Sequence, residues 1–214
     1  MTFGVETTEI TEELIVPLHE GLARAKSLEQ PVLVSVAKQM PQGVGPLTIF
    51  ARKDRPGTYR AFWARPMETF WMVGIGTATG ITADGDQPLG AVERAYRSLL
   101  DEAIVSGPDE RGVGPVLMGG SRFDPYTPKA ATWCDFPNAL LTLPRFLFTW
   151  SGNDRWLTTN FLVLPQTNVQ SEIEAAASQL EAMDTSQLCE TYKFSVRSQC
   201  QTSREEWSRR VRYA

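Results

Sequence analysis

Apolar and polar residues alternate with a period of two along much of the chain between residues 31 and 164. Such alternation, rich in β-branched and aromatic residues, predicts strands of a sheet that is buried on at least one face. The segments that show it are 32–37, 47–51, 59–66, 70–76, 139–150 and 155–164. The sequence Ser151-Gly-Asn-Asp154 is a hairpin signal, so we expect the last two strands to pair directly.

Two stretches in the first half of the chain follow helical spacing instead. Residues 1–30 are typical of an extended lead-in followed by a short amphipathic helix, whose start Pro17 weakens. The clearest helix begins after Asp86, a good N-cap, with Pro88 in its first turn. Its apolar face continues to Ile104, and Gly107 with the proline after it predicts its end.

The C-terminal part of the chain predicts two further helices. One begins near Ser171, where Ser171 and Glu174 have the spacing of a capping box. Residues 184–202 are polar and poorly patterned, which predicts a linker. Ser203 then opens the last helix with a second capping box, and its apolar residues Trp207 and Val211 share one face. We expect that face to need a covering partner.

The most distinctive stretch runs from Gly112 to Pro125. An apolar strand (residues 116–118) is predicted between glycines, and Phe-Asp-Pro closes it. Glycines in such places allow sharp turns or the close approach of a neighbouring backbone. We expect the rest of the chain to be organised around this segment.

Composition and charge exclude several classes of protein. The chain has 214 residues, 42% of them hydrophobic and 21% charged, which are ordinary values for a globular domain. The net charge of −4 argues against a nucleic-acid-binding face. The acidic N-terminus lacks the pattern of a signal peptide, and no window is apolar enough for a membrane span. We therefore expect a cytoplasmic protein without a nucleic-acid or membrane partner.

Residues with metal or redox chemistry are few. The three cysteines, Cys134, Cys189 and Cys200, are scattered without the spacing of a zinc site, which favours reduced thiols. The single histidine, His19, has no base or nucleophile near it in sequence, and is interpreted as solvated or structural. A Ser-His-Asp or Cys-His set is therefore not expected.

Two glycine patterns approximate nucleotide-binding motifs. The segment 114–121 resembles a phosphate loop, but Gly120 stands where that loop needs a lysine. The segment 74–80 is one residue too long for a dinucleotide fingerprint and is not followed by a βαβ unit. Both are interpreted as glycines of strand ends and close packing.

A few charged and aromatic residues have both a functional and a structural interpretation. Asp124 and Asp135 could face a cleft, but both lie in sequences typical of turns. Arg122 and Arg145 could bind carboxylates, but a solvated or ion-paired arginine is favoured. The tryptophans are interpreted as core residues rather than stacking platforms: Trp63, Trp71, Trp133, Trp150 and Trp156. The sequence thus predicts no catalytic, cofactor-binding or metal-binding residue in this chain.

A series of short motifs nevertheless resembles one family. In chain order these are Arg60-Ala-Phe-Trp-Ala-Arg-Pro66, Val73-Gly-Ile-Gly76, Gly114-Pro-Val-Leu-Met-Gly-Gly-Ser-Arg-Phe-Asp-Pro125, Trp133-x-x-Phe-Pro137 and Leu143-Pro-Arg145. Together they resemble the N-terminal half of isochorismate synthases, which belong with the other chorismate-using enzymes. The terminal Trp207-x-x-x-Val211-x-x-Ala214 is similar to the element that opens the catalytic half of that family. The resemblance covers about residues 30–214.

The resemblance implies an α+β fold: an antiparallel sheet with flanking helices, one half of the layered sandwich of anthranilate and isochorismate synthases. It implies that residues 1–202 form a scaffold half and that residues 203–214 form the first helix of a catalytic half, the rest of which this chain lacks. In the family, a lysine, acidic glutamates and Mg²⁺ carry out the isomerisation of chorismate, and all of these ligands and catalytic residues lie beyond the terminal element. We therefore expect this chain to bind no cofactor itself.

Two functions follow from the resemblance. The first is the N-terminal part of an isochorismate synthase, in menaquinone, phylloquinone or salicylate biosynthesis, truncated or split and inactive alone. Its partner would be the missing C-terminal half, which would bind chorismate. The alternative is a non-catalytic interaction subunit that complements or regulates a separate chorismate-using chain.

Overall fold

The computed structural model describes residues 7–41, 45–51, 57–124, 126–129, 131–183 and 202–212. The strands are β1 (Val32–Gln39), β2 (Arg60–Arg65), β3 (Phe70–Ala83), β4 (Ile104–Ser106), β5 (Met118–Ser121), β6 (Ala139–Ser151) and β7 (Asp154–Val163). The α-helices are α1 (Thr7–Leu28), α2 (Pro46–Phe50), α3 (Pro88–Asp101), α4 (Val169–Ala182) and α5 (Arg204–Arg212).

The strands of the described residues form one sheet in the order β2-β3-β6-β7-β1-β4. All neighbours on this path are antiparallel except β1 and β4, which are parallel. On the side of β6 opposite β3, β7 pairs with residues 146–151 and β5 with residues 139–142. The predicted hairpin of β6 and β7 is confirmed, and so is the α+β class with one sheet flanked by helices.

The two faces of the sheet are covered differently. On one face, α1 and α4 pack over a continuous core that includes Leu14, Val34, Phe146 and Phe161. On the other face, the segment 107–117 is bound to Thr149 and Thr158 of the sheet, and α3 lies beside it, with the Tyr96 hydroxyl donating to the Pro115 carbonyl. The core therefore has a layer on each side, and strands β1, β6 and β7 are almost entirely buried.

The first helix is longer than the sequence predicts. Instead of an extended lead-in, α1 runs for 22 residues with Pro17 inside it. A proline in a helix removes one backbone hydrogen bond. Leu14 and Leu18, on either side of Pro17, are almost fully buried against the sheet. We infer that burial of this face outweighs the missing bond, because tertiary packing supplies most helical stability in proteins.

Two secondary-structure assignments made from the sequence are wrong: one predicted strand is a helix, and one residue predicted on a helix lies in a strand. Residues 47–51 are predicted as a strand but form α2, in which Pro46 occupies the first turn and only Ile49 is buried. Ile104 is predicted on the face of α3, but α3 ends at Asp101 and Ile104 pairs with Val34 in β4. In both places a short apolar run fits either structure, and tertiary contacts decide.

Helix boundaries also differ in detail. Helix α4 begins three residues earlier than its predicted capping box, because the Asn168 carboxamide oxygen accepts a hydrogen bond from the Ser171 amide at 3.1 Å. Gln87, not Asp86, is the N-cap of α3. The predicted cap of α5 is confirmed: Ser203 Oγ accepts from the Glu206 amide at 3.1 Å. All of the predicted linker (184–202) except residue 202, and most of the turn at 54–57, lie outside the described residues.

The glycine-rich stretch forms mostly loop rather than strand. Its strand is β5, which begins only at Met118, so the prediction of a strand at 116–118 is wrong. Buried hydroxyls of the sheet hold the loop instead. Thr149 Oγ1 donates to the Gly112 carbonyl at 2.5 Å, and Thr158 Oγ1 accepts from the Gly114 amide at 3.1 Å. The stretch therefore covers one face of the sheet, and the fold is not organised around it.

Glycine is required at Gly112 for two reasons. Its φ of +75° is a conformation that favours glycine, and a Cβ atom there would lie 2.7 Å from the Phe70 ring. The loop can thus lie flat on the sheet only because this residue has no side chain.

The tryptophans do not all lie in the core. Trp150 is 3% exposed, as predicted. Trp63 and Trp133 are 42% and 61% exposed, so the core interpretation is wrong for these two. Trp63 lies on the edge strand β2, where its ring meets the Phe70 ring edge-on at 5.8 Å, and Trp133 ends a short 3-10 helix on the surface, where its ring packs against Phe136 at 5.5 Å.

Candidate functional site

Arg145 is the most buried charged group among the sequence candidates. Its side chain is 13% exposed and makes an ion pair of 2.7 Å with the Glu172 carboxylate in α4. The guanidinium also lies 3.8 Å above the Phe161 ring, within the range of a cation–π contact. Weaker contacts of 3.4 Å join it to the carbonyls of Asn160 and Glu172. Arg145 therefore ties α4 to the sheet.

A cleft of about 560 Å³ opens beside this ion pair, between α4 and strands β3 and β6. Its polar lining comes from Thr58, Thr77, Arg145, Glu172, Ser178 and Gln179, and the rest is apolar or glycine. Gly76 shapes the floor: its φ is +67°, and a Cβ atom there would lie 3.1 Å from Arg145 Cβ. The cleft therefore contains one of the sequence candidates, Arg145, in its wall.

The charge of Arg145 is already balanced inside this cleft. Desolvation by burial lowers the pKa of Arg145, while the hydrogen bond and the charge of Glu172 act in the opposite direction. A guanidinium that is stacked on a ring and paired with a carboxylate has little left to offer a substrate anion. The ion-paired interpretation of Arg145 is confirmed, and its role is to position α4.

Arg122 and Asp124 belong to one surface turn. The Asp124 carboxylate accepts hydrogen bonds from the Tyr126 amide at 2.9 Å and from the Thr127 hydroxyl. The Thr127 hydroxyl and the Tyr126 amide hold the pKa of Asp124 below its usual range. Arg122 donates to the Thr127 carbonyl at 2.6 Å. The turn interpretation of Asp124 is confirmed, and nothing in these contacts gives it acid–base chemistry.

Asp135 lies in the next part of the same surface and is exposed. The neighbouring Cys134 thiol, also exposed, donates to its carboxylate at 3.5 Å. A small cavity of about 270 Å³ lies nearby, lined by Arg122, Lys129, Trp133, Phe136 and Pro137. Both cations already have partners, so this cavity is a weak candidate for anion binding.

Asp84 fastens this surface loop to the end of β3. Its carboxylate accepts from the Asn138 amide at 2.9 Å and from Lys129 Nζ at 3.2 Å. The Asn138 amide and the Lys129 ammonium together lower the pKa of Asp84 from its ordinary value of 3.8. Sequence reasoning missed Asp84 and Lys129, because 45 residues separate them and neither lies in a motif.

We expect Asp84→Asn to weaken the fold at neutral pH and to lose this effect in acid. A carboxyl whose pKa is lowered by folding stabilises the fold above its unfolded pKa, and that stabilisation disappears as the pH falls through the folded pKa. The difference in unfolding free energy between wild type and variant should therefore shrink as the pH falls below about 4. Urea unfolding at several pH values measures it, with Asp86→Asn in the same turn as control. A constant difference from pH 7 to pH 3 would contradict the assignment.

The remaining candidates carry no site chemistry in the described part of the chain. His19 is exposed on α1, which confirms its solvated interpretation. Cys189 and Cys200 lie outside the described residues. Within the described ranges, no three His, Cys, Asp or Glu side chains come together in a way that could hold a metal ion. These residues therefore do not fit a Mg²⁺ site, and no metal ligand is assigned to them.

The two glycine patterns are not nucleotide sites. Residues 74–80 lie entirely inside β3, and the segment 114–121 leads into β5 and not into a helix. Without a helix N-terminus after the glycines, neither segment has the amide cluster that cradles phosphate. The close-packing interpretation is confirmed at Gly74 and Gly119, where an added Cβ would lie within 3 Å of another atom.

No helix in the described ranges is both long and apolar enough to cross a membrane.

Comparison with known proteins supplies the class that this geometry alone does not. The sequence model of the chorismate-binding enzymes matches residues 20–214, which is nearly the whole chain. The chain therefore belongs to the family of chorismate-binding enzymes.

Its relatives within that family include two curated isochorismate synthases. The chain is 31% identical over 123 residues to the salicylate biosynthesis isochorismate synthase of Pseudomonas aeruginosa, a match that covers 58% of this chain and 24% of that protein. It is 25% identical over 167 residues to the isochorismate synthase MenF of Bacillus subtilis, covering 72% of this chain and 34% of the relative. The chain thus spans a quarter to a third of the length of these relatives.

A solved structure is also similar. The menaquinone-specific isochorismate synthase MenF of Escherichia coli is 19% identical, with a TM-score of 0.47 over 79% of this chain and 34% of that structure.

Proposed function

We propose that this chain is the N-terminal scaffold part of an isochorismate synthase. The observation that carries the proposal is the family match over residues 20–214 together with relatives that are isochorismate synthases. In this proposal the chain acts in the Mg²⁺-dependent isomerisation of chorismate to isochorismate, in the cytoplasm. Residues 1–202 form the scaffold, and residues 203–214 begin the catalytic half.

The contacts of the described residues support a scaffold role. Three charged groups each have partners within the protein. Arg145 forms an ion pair with Glu172, Asp84 anchors a surface loop and Asp124 stabilises a turn. Their charges are balanced by protein groups and not directed into a common cleft. A substrate with two carboxylates would need cations free to receive them. The proposal therefore places chorismate on the catalytic half.

A chimera tests this proposal with a positive result. In the chimera, this chain would replace the corresponding N-terminal part of the Pseudomonas aeruginosa isochorismate synthase, and the remainder of that enzyme would supply the catalytic half. We expect the chimera to convert chorismate to isochorismate in the presence of Mg²⁺, and the 214-residue chain alone to have no activity. A folded but inactive chimera, or turnover by the chain alone, would overturn the proposal. The parent enzyme and the parent without the segment are the controls.

An exposed apolar surface on α5 fits both this proposal and the alternative, a non-catalytic interaction subunit of a chorismate-using complex. Trp207 and Val211 lie four residues apart on α5 and are 60% and 56% exposed. Residues at this spacing share one helix face, so α5 presents an apolar surface that a partner helix could cover. The genomic reading frame after codon 214 distinguishes the two functions. A catalytic segment in the same frame supports the scaffold, and a natural stop codon supports the subunit.

A further inference from the structure

The turn end of the β6–β7 hairpin carries buried hydrogen-bond donors that no described residue satisfies. On one face of the hairpin they are Nε and Nη1 of Arg155 and the indole Nε1 of Trp150, and the indole Nε1 of Trp156 on the opposite face is also unsatisfied. Trp150 is 3% exposed and belongs to the core beneath α1. Buried donors are almost always paired, because an unpaired one keeps the full penalty of its lost hydration. Three such atoms on two residues therefore call for an acceptor.

The two side chains lie next to each other. Trp150 and Arg155 are direct partners in the ladder between β6 and β7, one pair away from the turn. The Arg155 carbonyl accepts a hydrogen bond from the Met40 amide at 2.7 Å, so the backbone hydrogen-bonding groups of Arg155 point away from β6, on the side where β1 lies. The pair with Trp150 is then of the non-hydrogen-bonded type, in which side chains are closest, with Cβ atoms about 4.5–5.5 Å apart. Both side chains extend from the same face of the sheet.

The chemistry of these donors specifies the missing acceptor. Guanidinium and indole nitrogens only donate, and Arg155 adds one positive charge. Lys38, a cation on the same face of the adjacent strand β1, is paired with Glu13 at 3.0 Å. A single carboxylate matches this set, because it brings one negative charge and two oxygens that accept from both side chains. A phosphate dianion would bring more negative charge than Arg155 balances.

We propose that Arg155 and Trp150 form a binding site for one carboxylate group. The proposed function rests on the family match and on the contacts of Arg145, Asp84 and Asp124, so the carboxylate site does not depend on it. The carboxylate can be a small free acid or an acidic side chain of a polypeptide. The two sources share the same chemistry and differ in their response to added carboxylate.

The test is a titration of the ¹⁵N-labelled chain with sodium acetate at constant ionic strength. The Trp150 indole signal is assigned from its loss in Trp150→Phe. For a free acid as the source, acetate moves the indole proton downfield to saturation and raises the unfolding midpoint by about 5 °C. For a side chain as the source, the indole proton is downfield without acetate and moves upfield in Arg155→Met. Either result supports the site.

Controls keep the test decisive. Arg155→Met should abolish the acetate response, and Arg155→Lys, which keeps the charge but not the guanidinium, should weaken acetate binding about tenfold. Arg97→Met, at an exposed arginine of α3, should respond like wild type. The proposal is overturned if the indole proton is insensitive both to acetate and to Arg155→Met. If Arg155→Met does not fold, Arg155→Lys still reports through the indole signal, and Trp150→Phe reports through a smaller acetate-induced rise of the unfolding midpoint.

Discussion

Gly119→Ala is expected to destabilise the fold by about 3 kcal/mol or more, which corresponds to a fall of about 6–12 °C in the unfolding midpoint. A Cβ atom at this position would lie 2.2 Å from the Leu140 carbonyl oxygen and 2.8 Å from Leu141 Cα. Both atoms belong to the backbone of β6, the strand to which β5 is paired. They cannot move without breaking the ladder that residues 139–142 share with β3 and β5.

The neighbouring glycine is a matched control. Gly120 lies in the same strand and is exposed, and a Cβ atom there would meet nothing within 4 Å. Gly120→Ala should therefore change the unfolding free energy by less than about 0.5 kcal/mol. Thermal unfolding of both variants measures the difference. Equal stability of the two variants would show that β5 does not approach β6 as closely as described.

Glu172→Ala is expected to cost about 2 kcal/mol of unfolding free energy, because it leaves the Arg145 cation unpaired at 13% exposure. Loss of a fully buried partner costs about 3–5 kcal/mol, and the partial exposure of Glu172 lowers the effect. The first-turn position of Glu172 adds about 0.5 kcal/mol through the helix dipole. Glu174→Ala, at an exposed residue of the same helix, should cost clearly less.

A double-mutant cycle isolates the interaction between the two side chains. Arg145→Met alone should cost less than Glu172→Ala alone, because the remaining carboxylate is 41% exposed and stays hydrated. The double variant should recover stability relative to Glu172→Ala, since an apolar side chain replaces the buried charge. Denaturant unfolding of the four proteins gives the coupling energy. If the two single effects on the free energy of unfolding are additive, the contribution of Arg145 to stability does not depend on Glu172.

These predictions separate folding from function. In the chimera, Gly119→Ala should lower both the yield and the activity, because it disrupts the scaffold. Glu172→Ala should lower stability and leave activity per folded molecule close to that of the unmodified chimera, if Arg145 acts only on α4. A selective loss of activity with unchanged stability would instead place the cleft beside Arg145 in the reaction.

Much of the sheet could be predicted from sequence because its signals are local. The hairpin of β6 and β7 is set by a two-residue turn between two apolar strands, and no other element is needed to specify it. Strand β1 and helix α4 are long enough for their periods to be recognised. By contrast, α2 and β4 are five and three residues long, and an apolar run of that length fits a helix or a strand.

The candidate site could likewise be predicted only in part from the sequence. The sequence favoured a solvated or ion-paired Arg145 over one that binds a carboxylate ligand, and the structure shows that it has an ion-pair partner. Its identity could not be predicted, because Glu172 lies 27 residues away on another element. Asp84 and Asn138 are 54 residues apart, and only the return of β6 beside β3 brings them together.

By itself the sequence determined the α+β class, the central hairpin, the capping of α5 and the series of motifs shared with isochorismate synthases. Those features depend on residues that are neighbours in the chain, or on sequence motifs that occur in a fixed order. Only the tertiary structure decided that α1 continues through Pro17, that β4 joins the sheet in parallel and that the glycine loop seals one face. Each of these depends on contacts between residues far apart in the chain, whose energies no local pattern contains.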